Sequence, residues 1–299
     1  MSKNITFFLL LALLLTTAQA QRRMVKPFTL AREHNITIAA QGGLGMLAVN
    51  NTIGAPTTKG FAAAGDVGYT FMFTLNVGLH AGVGFSYTTS GYSNPSLRSV
   101  YLDDVRTYDE ETDFVGNADI VSTTSNVEET YKTMMVDIPI QMAFVFKRVW
   151  CNAGVRLSLP LSVDATYTAG PTSRGIGYIY NTGVDFPDPI PLGDDYRVAA
   201  TSGSYKVEPA SGKMLVSLAI EGGYRIPVSL TQELYIGAYI DYSLNRIDSD
   251  NTVQYVSYDA SHSNPTFHGA LQSSATDGYK YCSMGLRLYY SFGFGGKVR

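Results

Sequence analysis

A chain of 299 residues with 22 Lys and Arg against 25 Asp and Glu has a formal charge of -3, which gives no electrostatic case for nucleic-acid binding. Charged residues make up only 16%, glycine (29) and tyrosine (21) are abundant, and Cys151 with Cys282 are too few to frame a disulfide scaffold. After the first twenty residues no apolar run reaches the roughly 20 residues of a spanning helix, which excludes helical membrane classes.

The amino terminus comes first. Lys3 supplies a basic start, residues 5–15 (ITFFLLLALLL) an apolar core, and Ala18-Gln19-Ala20 a small-x-small cleavage signal. This is the pattern of a secretory signal peptide over 1–20. Its removal takes away Lys3 and no acid, so the mature charge becomes -4. Residues 21–34 then form an N-terminal periplasmic segment, and 35–299 a single domain.

Eight segments in that domain alternate apolar and polar residues with period two, the signature of strands. In chain order they are 35–48, 60–74, 77–88, 130–146, 149–167, 214–225, 233–246 and 278–294. Tight links at Leu75-Asn76, at Lys147-Arg148 and over 226–232 alternate with long ones over 89–129, 168–213 and 247–277. Short turns on one side and long loops on the other are what antiparallel up-and-down connectivity produces, and in outer-membrane barrels the short ones face the periplasm.

Charge placement decides which face meets water. One row of these strands collects Asp66, His80, Asp137, Gln141, Arg156, Asp164, Glu221, Arg225, Asp241 and Arg287, while the opposite row is apolar, as in Val136, Ile138, Ile140, Met142 and Phe144. A soluble sandwich would alternate too, with its polar row in water. Against it stand apolar rows long enough for the 9 to 11 residues of a tilted membrane strand. The polar row is also rich in glycine and serine (Gly78, Gly82, Gly84, Gly154, Ser158, Gly237, Gly285), which suits a crowded barrel interior. Phe71, Phe73, Phe85, Tyr87, Phe144, Phe146, Tyr289, Tyr290, Phe292 and Phe294 cluster near strand ends as interfacial girdles do. Pro139 and Pro160 remove ladder donors in adjacent strands, so a bulge or an unpaired position is expected there.

The segments VDIPIQMAFVFKR (136–148), NAGVRLSLPLS (152–162), AIEGGYRIP (219–227), LYIGAYIDYSLN (234–245) and MGLRLYYSFGFG (284–295) resemble, in order and spacing, the OmpA-like small outer-membrane β-barrel family, in particular the porin-like barrels common in Bacteroidetes. The resemblance implies an all-β, eight-stranded antiparallel up-and-down transmembrane barrel in the cell outer membrane. It implies outer-membrane lipids and the barrel assembly machinery as partners, the latter through the aromatic-ended last strand with Phe292 and Phe294. The peptidoglycan-binding domain of many relatives has no counterpart after the last strand, so that activity is not carried over.

Three functional readings follow. An eight-stranded interior is just wide enough for side chains to fill. The ten inward polar residues therefore form a lumen charge network, with Asp137 and Arg156 as diagonal neighbours near enough to pair. The leading expectation is a non-catalytic protein with a plugged lumen, a structural or surface-interaction role and a ligand at the long loops. A narrow porin or small-solute channel is the alternative, and an enzyme with a site at the outer rim is the second. For that rim, Asp259, His262 and His268 offer a dyad or metal ligands, weighed against chance in a polar loop. No cofactor, metal or nucleic acid is expected. The acidic run Asp103, Asp104, Asp109, Glu110, Glu111 and Asp113 matches no defined calcium loop and reads as a solvated loop. The two cysteines, on non-adjacent strands, are expected as free thiols.

Overall fold

The computed structural model describes residues 32–51, 57–58, 60–109, 114–179, 183–191, 198–207, 213–246, 256–258, 265–269, 271 and 276–297. The expected signal peptide lies outside them. In chain order the strands are β1 (Arg32–Asn51), β2 (Thr57–Thr58), β3 (Gly60–Met72), β4 (Val77–Asp109), β5 (Phe114–Phe146), β6 (Val149–Ala169) and β7 (Thr172–Ile179). They continue with β8 (Val184–Pro191), β9 (Thr201–Val207), β10 (Leu215–Pro227), β11 (Gln232–Ser243), β12 (Val256–Tyr258), β13 (Pro265–Phe267) and β14 (Thr276–Lys297).

Eight of these close a ring. The antiparallel order runs β1, β3, β4, β5, β6, β10, β11 and β14, and β14 pairs back onto β1 from Arg32↔Lys297 to Asn51↔Thr276. Closure leaves the ring without a free edge, the condition a sheet must meet to stand in hydrocarbon. The expected strands at 35–48 and 60–74 are β1 and β3, with β1 starting three residues earlier, at Arg32.

The tight connections gather at one end. Phe73 and Thr74 both donate to the Val77 carbonyl, and Thr74 Oγ1 accepts from the amides of Asn76 and Val77, which closes the first of them. Lys147 takes a left-handed φ of 52° in the second, and Val228 donates to Gln232 across the third. At the other end the sheet continues where loops were expected. β4 and β5 run past the ring as a ladder to Asp109↔Phe114, β7 and β8 extend that ladder sideways, and β9 pairs with β6. Within the expected long links, residues 100–107 and 252–258 alternate as strands do; the first segment lies within β4, and of the second only β12 falls among the described residues.

The outward face is apolar on every ring strand. Ile38, Val67, Val83, Ile140, Leu161, Leu218, Ile240 and Leu286 are each exposed, and on β5 the exposed row spans residues 134–146 and ends at Phe146, 64% exposed. Arg148 lies 6.0 Å over the Tyr224 ring and Lys280 5.9 Å over that of Tyr242, cation–aromatic pairs that border the belt at its two ends. A closed ring wearing such a belt is the architecture of an outer-membrane protein, and the chain is located there.

Both prolines mark the ladder as expected. Opposite Pro139 the β4–β5 pairing jumps from Ala81↔Ile140 to Gly84↔Asp137 without changing register. Opposite Pro160 the β5–β6 register shifts, with Met134 pairing Ser162 and Met135 pairing Pro160, so Leu161 is an extra residue. An added residue turns every later side chain to the other face. Val163 and Ala165, expected to face lipid, are buried inside the ring. Asp164, expected inside, is only partly buried and sits in the ladder between Lys132 and Lys206.

Candidate functional site

The interior is the candidate site, and side chains fill it in three layers. The middle layer is charged. Arg287, 1% exposed, donates through Nη2 to both carboxylate oxygens of Asp66 at 3.1 and 2.9 Å and through Nη1 to Gln41 Oε1; its Nε meets Glu221 Oε2. A guanidinium fork matched to one carboxylate and one amide is preorganised by its planarity. Arg156 stands above it with looser contacts, Nη1 lying 3.8 Å from Asp137 Oδ2 and 3.5 Å from Asp241 Oδ2. Its Nη2 donates to the same Gln41 Oε1 at 3.3 Å, and Gln41 Nε2 donates to Asp241 at 3.4 Å. Gln41 thus bridges the two arginines. Asn152 completes the layer by donating to Glu221 at 2.9 Å.

The backbone makes this arrangement possible. Pro139 pairs Arg156 and Asp137 pairs Ser158, which is the diagonal the tight 147–148 turn implies. Inward glycines leave the needed space: a Cβ on Gly68 would come within 2.4 Å of the His80 ring, and one on Gly237 within 2.9 Å of Trp150. His80 Nδ1 is hydrogen-bonded to Thr70 Oγ1 at 2.9 Å. Buried charge is costly unless paired, and here the two arginines and four carboxylates come from six different ring strands.

Toward the short-turn end an aromatic layer follows. Tyr235 stacks on Tyr289 with centroids 4.1 Å apart, and Trp150 meets both edge-on at 5.7 and 4.9 Å, over Met72 and Val145. Below it Arg225 lies 3.5 Å from Glu233, whose Oε2 accepts from Tyr235 OH. Toward the long-loop end the filling is apolar: Leu47, Leu97, Val127, Met135, Val163, Leu215 and Leu271 pack with Tyr92, Tyr131, Tyr279 and Tyr281. Glu129 is buried among them and accepts from Tyr131 OH at 2.5 Å and Tyr205 OH at 2.9 Å. Burial first, and the Glu129 carboxylate second, push the Tyr205 phenol well above its usual range.

Of the ten residues expected in the network, Asp66, Asp137, Arg156, Glu221, Asp241 and Arg287 are joined in the middle layer. His80 and Gln141 are buried on the same inward row. Arg225 belongs to the rim pair with Glu233, and Asp164 is removed by the bulge. Tyr289, read as a girdle residue, is part of the aromatic layer. Gln41, Asn152, Trp150 and Glu129 were not foreseen; the inward parity of β1, β6 and β5 is the signal that places them.

At the long-loop end Ser257 Oγ and His268 Nε2 are hydrogen-bonded at 2.7 Å across the β12–β13 hairpin. Asp259 and His262 lie outside the described residues. Among the described residues no three His, Cys, Asp or Glu side chains gather as a metal-binding set, and Cys151 and Cys282 are free thiols on β6 and β14.

No family model and no curated protein matches the chain. Solved structures similar to it include Neisserial surface protein A, 12% identical over 87% of this chain and 97% of that one, with a TM-score of 0.30. They also include Ail, the attachment invasion locus protein of Yersinia pestis (12%, 87% and 99%, TM-score 0.28), and the outer membrane protease OmpT of Escherichia coli (7%, 91% and 99%, TM-score 0.31). The closed ring and its apolar exterior are what mark this chain as a membrane barrel.

Proposed function

We propose that the chain is an eight-stranded transmembrane barrel of the OmpA-like kind, with its short turns in the periplasm and its long-loop end outside the cell, and that it serves a non-catalytic structural or surface-interaction role. The observation that carries this reading is the filling of the interior at every level: a tyrosine and leucine layer, an arginine–carboxylate layer and an aromatic layer, each bridging the full width of the ring. A solute would have to displace all three. The sheet that rises beyond the ring on β4, β5, β7, β8 and β9 then becomes the working surface.

Two measurements test it. Proteoliposomes carrying the protein are expected to swell in small sugars no faster than empty ones; rapid swelling would favour the porin reading. Ser202→Cys, exposed on β9, is expected to react with a membrane-impermeant thiol reagent on intact cells, and labelling only after lysis would reverse the orientation. The enzymatic reading draws on one observation, the Ser257–His268 contact, because a hydroxyl held by an imidazole is the start of a nucleophile. Hydrolysis of an activated ester by the purified protein, lost in both Ser257→Ala and His268→Ala, would establish it instead.

A further inference from the structure

Above the ring the sheet order is β4, β5, β7, β8, so it ends on two strands of opposite character. β8 reads VDFPDPIP, and Pro187, Pro189 and Pro191 deny donors at every second position; its pairing with β7 also breaks between Ile176 and Tyr178. Proline in an outermost strand discourages further pairing. β4 differs. β2 covers it only at Gly91 and Tyr92, and among the described residues nothing pairs with its outer side beyond them. Residues 96–102, SLRSVYL, contain neither proline nor glycine and pair one-to-one with β5 from Ser96↔Ser125 to Leu102↔Asp119. Below them stands Pro95, and above them the register slips where Asp103, Asp104 and Val105 all face Ala118. A regular seven-residue edge is framed by two interruptions.

We propose that residues 96–102 form a strand-addition site, taking an extended polypeptide segment of a partner as a further strand beside β4. The charge of the hairpin selects the partner: residues 96–120 hold seven acids against Arg98 and Arg106. An incoming strand bearing lysine or arginine at alternate positions is drawn to this edge, and an acidic one is repelled. Main-chain hydrogen bonds supply the affinity and the charge supplies the choice. This deepens the surface-interaction reading, and it rests on that reading's placement of the long-loop end outside the cell.

The test uses the full chain in detergent micelles and two ten-residue peptides of alternating valine and either lysine or glutamate, followed by fluorescence anisotropy. The lysine peptide is expected to bind at least about tenfold more tightly, and its binding to protect the amides of residues 96–102 from hydrogen exchange. Adjacent residues of a strand send their N–H groups to opposite sides. Of Ser99→Pro and Val100→Pro, one therefore breaks the β4–β5 ladder, and the other removes a donor from the free edge and abolishes binding while the ring stays folded by heat-modifiable migration. Asp103→Lys with Asp104→Lys, just beyond residues 96–102, is expected to erase the preference for the lysine peptide. Equal binding of the two peptides, binding that survives both proline variants, or protection of 96–102 by self-association alone would overturn the proposal. None of these results depends on conductance or membrane orientation, so failure here is distinct from failure of the plugged-barrel reading.

Discussion

The middle of the ring and its long-loop third are both filled, but by opposite means. In the middle, polar groups distant in the chain meet across the interior: Arg287 holds Asp66 and Glu221, and Gln41 joins Arg156 to Arg287. In the long-loop third, leucines and tyrosines pack as in a soluble core, and the buried carboxylate of Glu129 accepts from a tyrosine two residues away and another from β9. Lipid already takes the apolar residues of the middle strands on their outer face, so their inner face is left with charge that must be paired. Beyond the belt the inner face becomes the apolar one. The Leu161 bulge makes that exchange on β6.

Removing the cation at the centre of the middle layer should have the largest effect. Arg287→Met leaves Asp66 and Glu221 buried without their guanidinium, a loss of about 3–5 kcal/mol, read as a lower urea midpoint of the heat-modifiable band. Adding Asp66→Leu and Glu221→Leu to that variant should recover much of the loss, because no unpaired charge then remains. Next comes Trp150→Ala, which empties the centre of the aromatic layer and should cost about 3–5 kcal/mol less any collapse of the site.

Deleting Leu161 tests the exchange itself. Without the extra residue, Pro160 and Ser162 are neighbours that pair Met135 and Met134 in one regular register, so Val163 and Ala165 should stay inside and Asp164 outside; a thiol reagent is expected to label Asp164→Cys alike in the two backgrounds, and protection in the deletion alone would contradict it. Tyr205→Phe removes a hydrogen bond to Glu129 and should cost about 1.5 kcal/mol, well below the Arg287 change. The smallest effect is one of pH. The folded state keeps the Tyr205 proton where the unfolded chain releases it, so this contribution is intact below about pH 10 and declines as pH rises beyond it. Titrating the wild type and Tyr205→Phe together should show a shallower alkaline decline in the variant.

How much of this was legible in the sequence follows from the same contrast. Period-two alternation is a local property, so the ring strands, the tight turns and the inward row through Asp66, Asp137, Arg156, Asp241 and Arg287 could be read directly. Pro139 and Pro160 announced the ladder faults because a missing donor is visible in the letters. Whether such a fault is a gap or an inserted residue is not visible, and that difference decided the side on which Asp164 lies. Above the ring, β4 was legible only over 100–107 and β5 not at all, because a strand above the membrane has no single solvent on each face and its alternation weakens. The bridging role of Gln41 depends on which residues meet across a closed ring, and only closure determines that.

The central claim is that the middle layer is a plug, and single-channel recording in planar bilayers tests it most directly. The account predicts no steps from the wild-type protein, and channel openings only when the middle layer is emptied together with the layers on either side of it, as in Arg156→Ala and Arg287→Ala combined with Trp150→Ala, Tyr131→Ala and Leu215→Ala in molecules that keep the folded band. A reproducible open channel from the wild type, closed or altered in selectivity by changes at Asp137, Arg156 or Asp241, would contradict it.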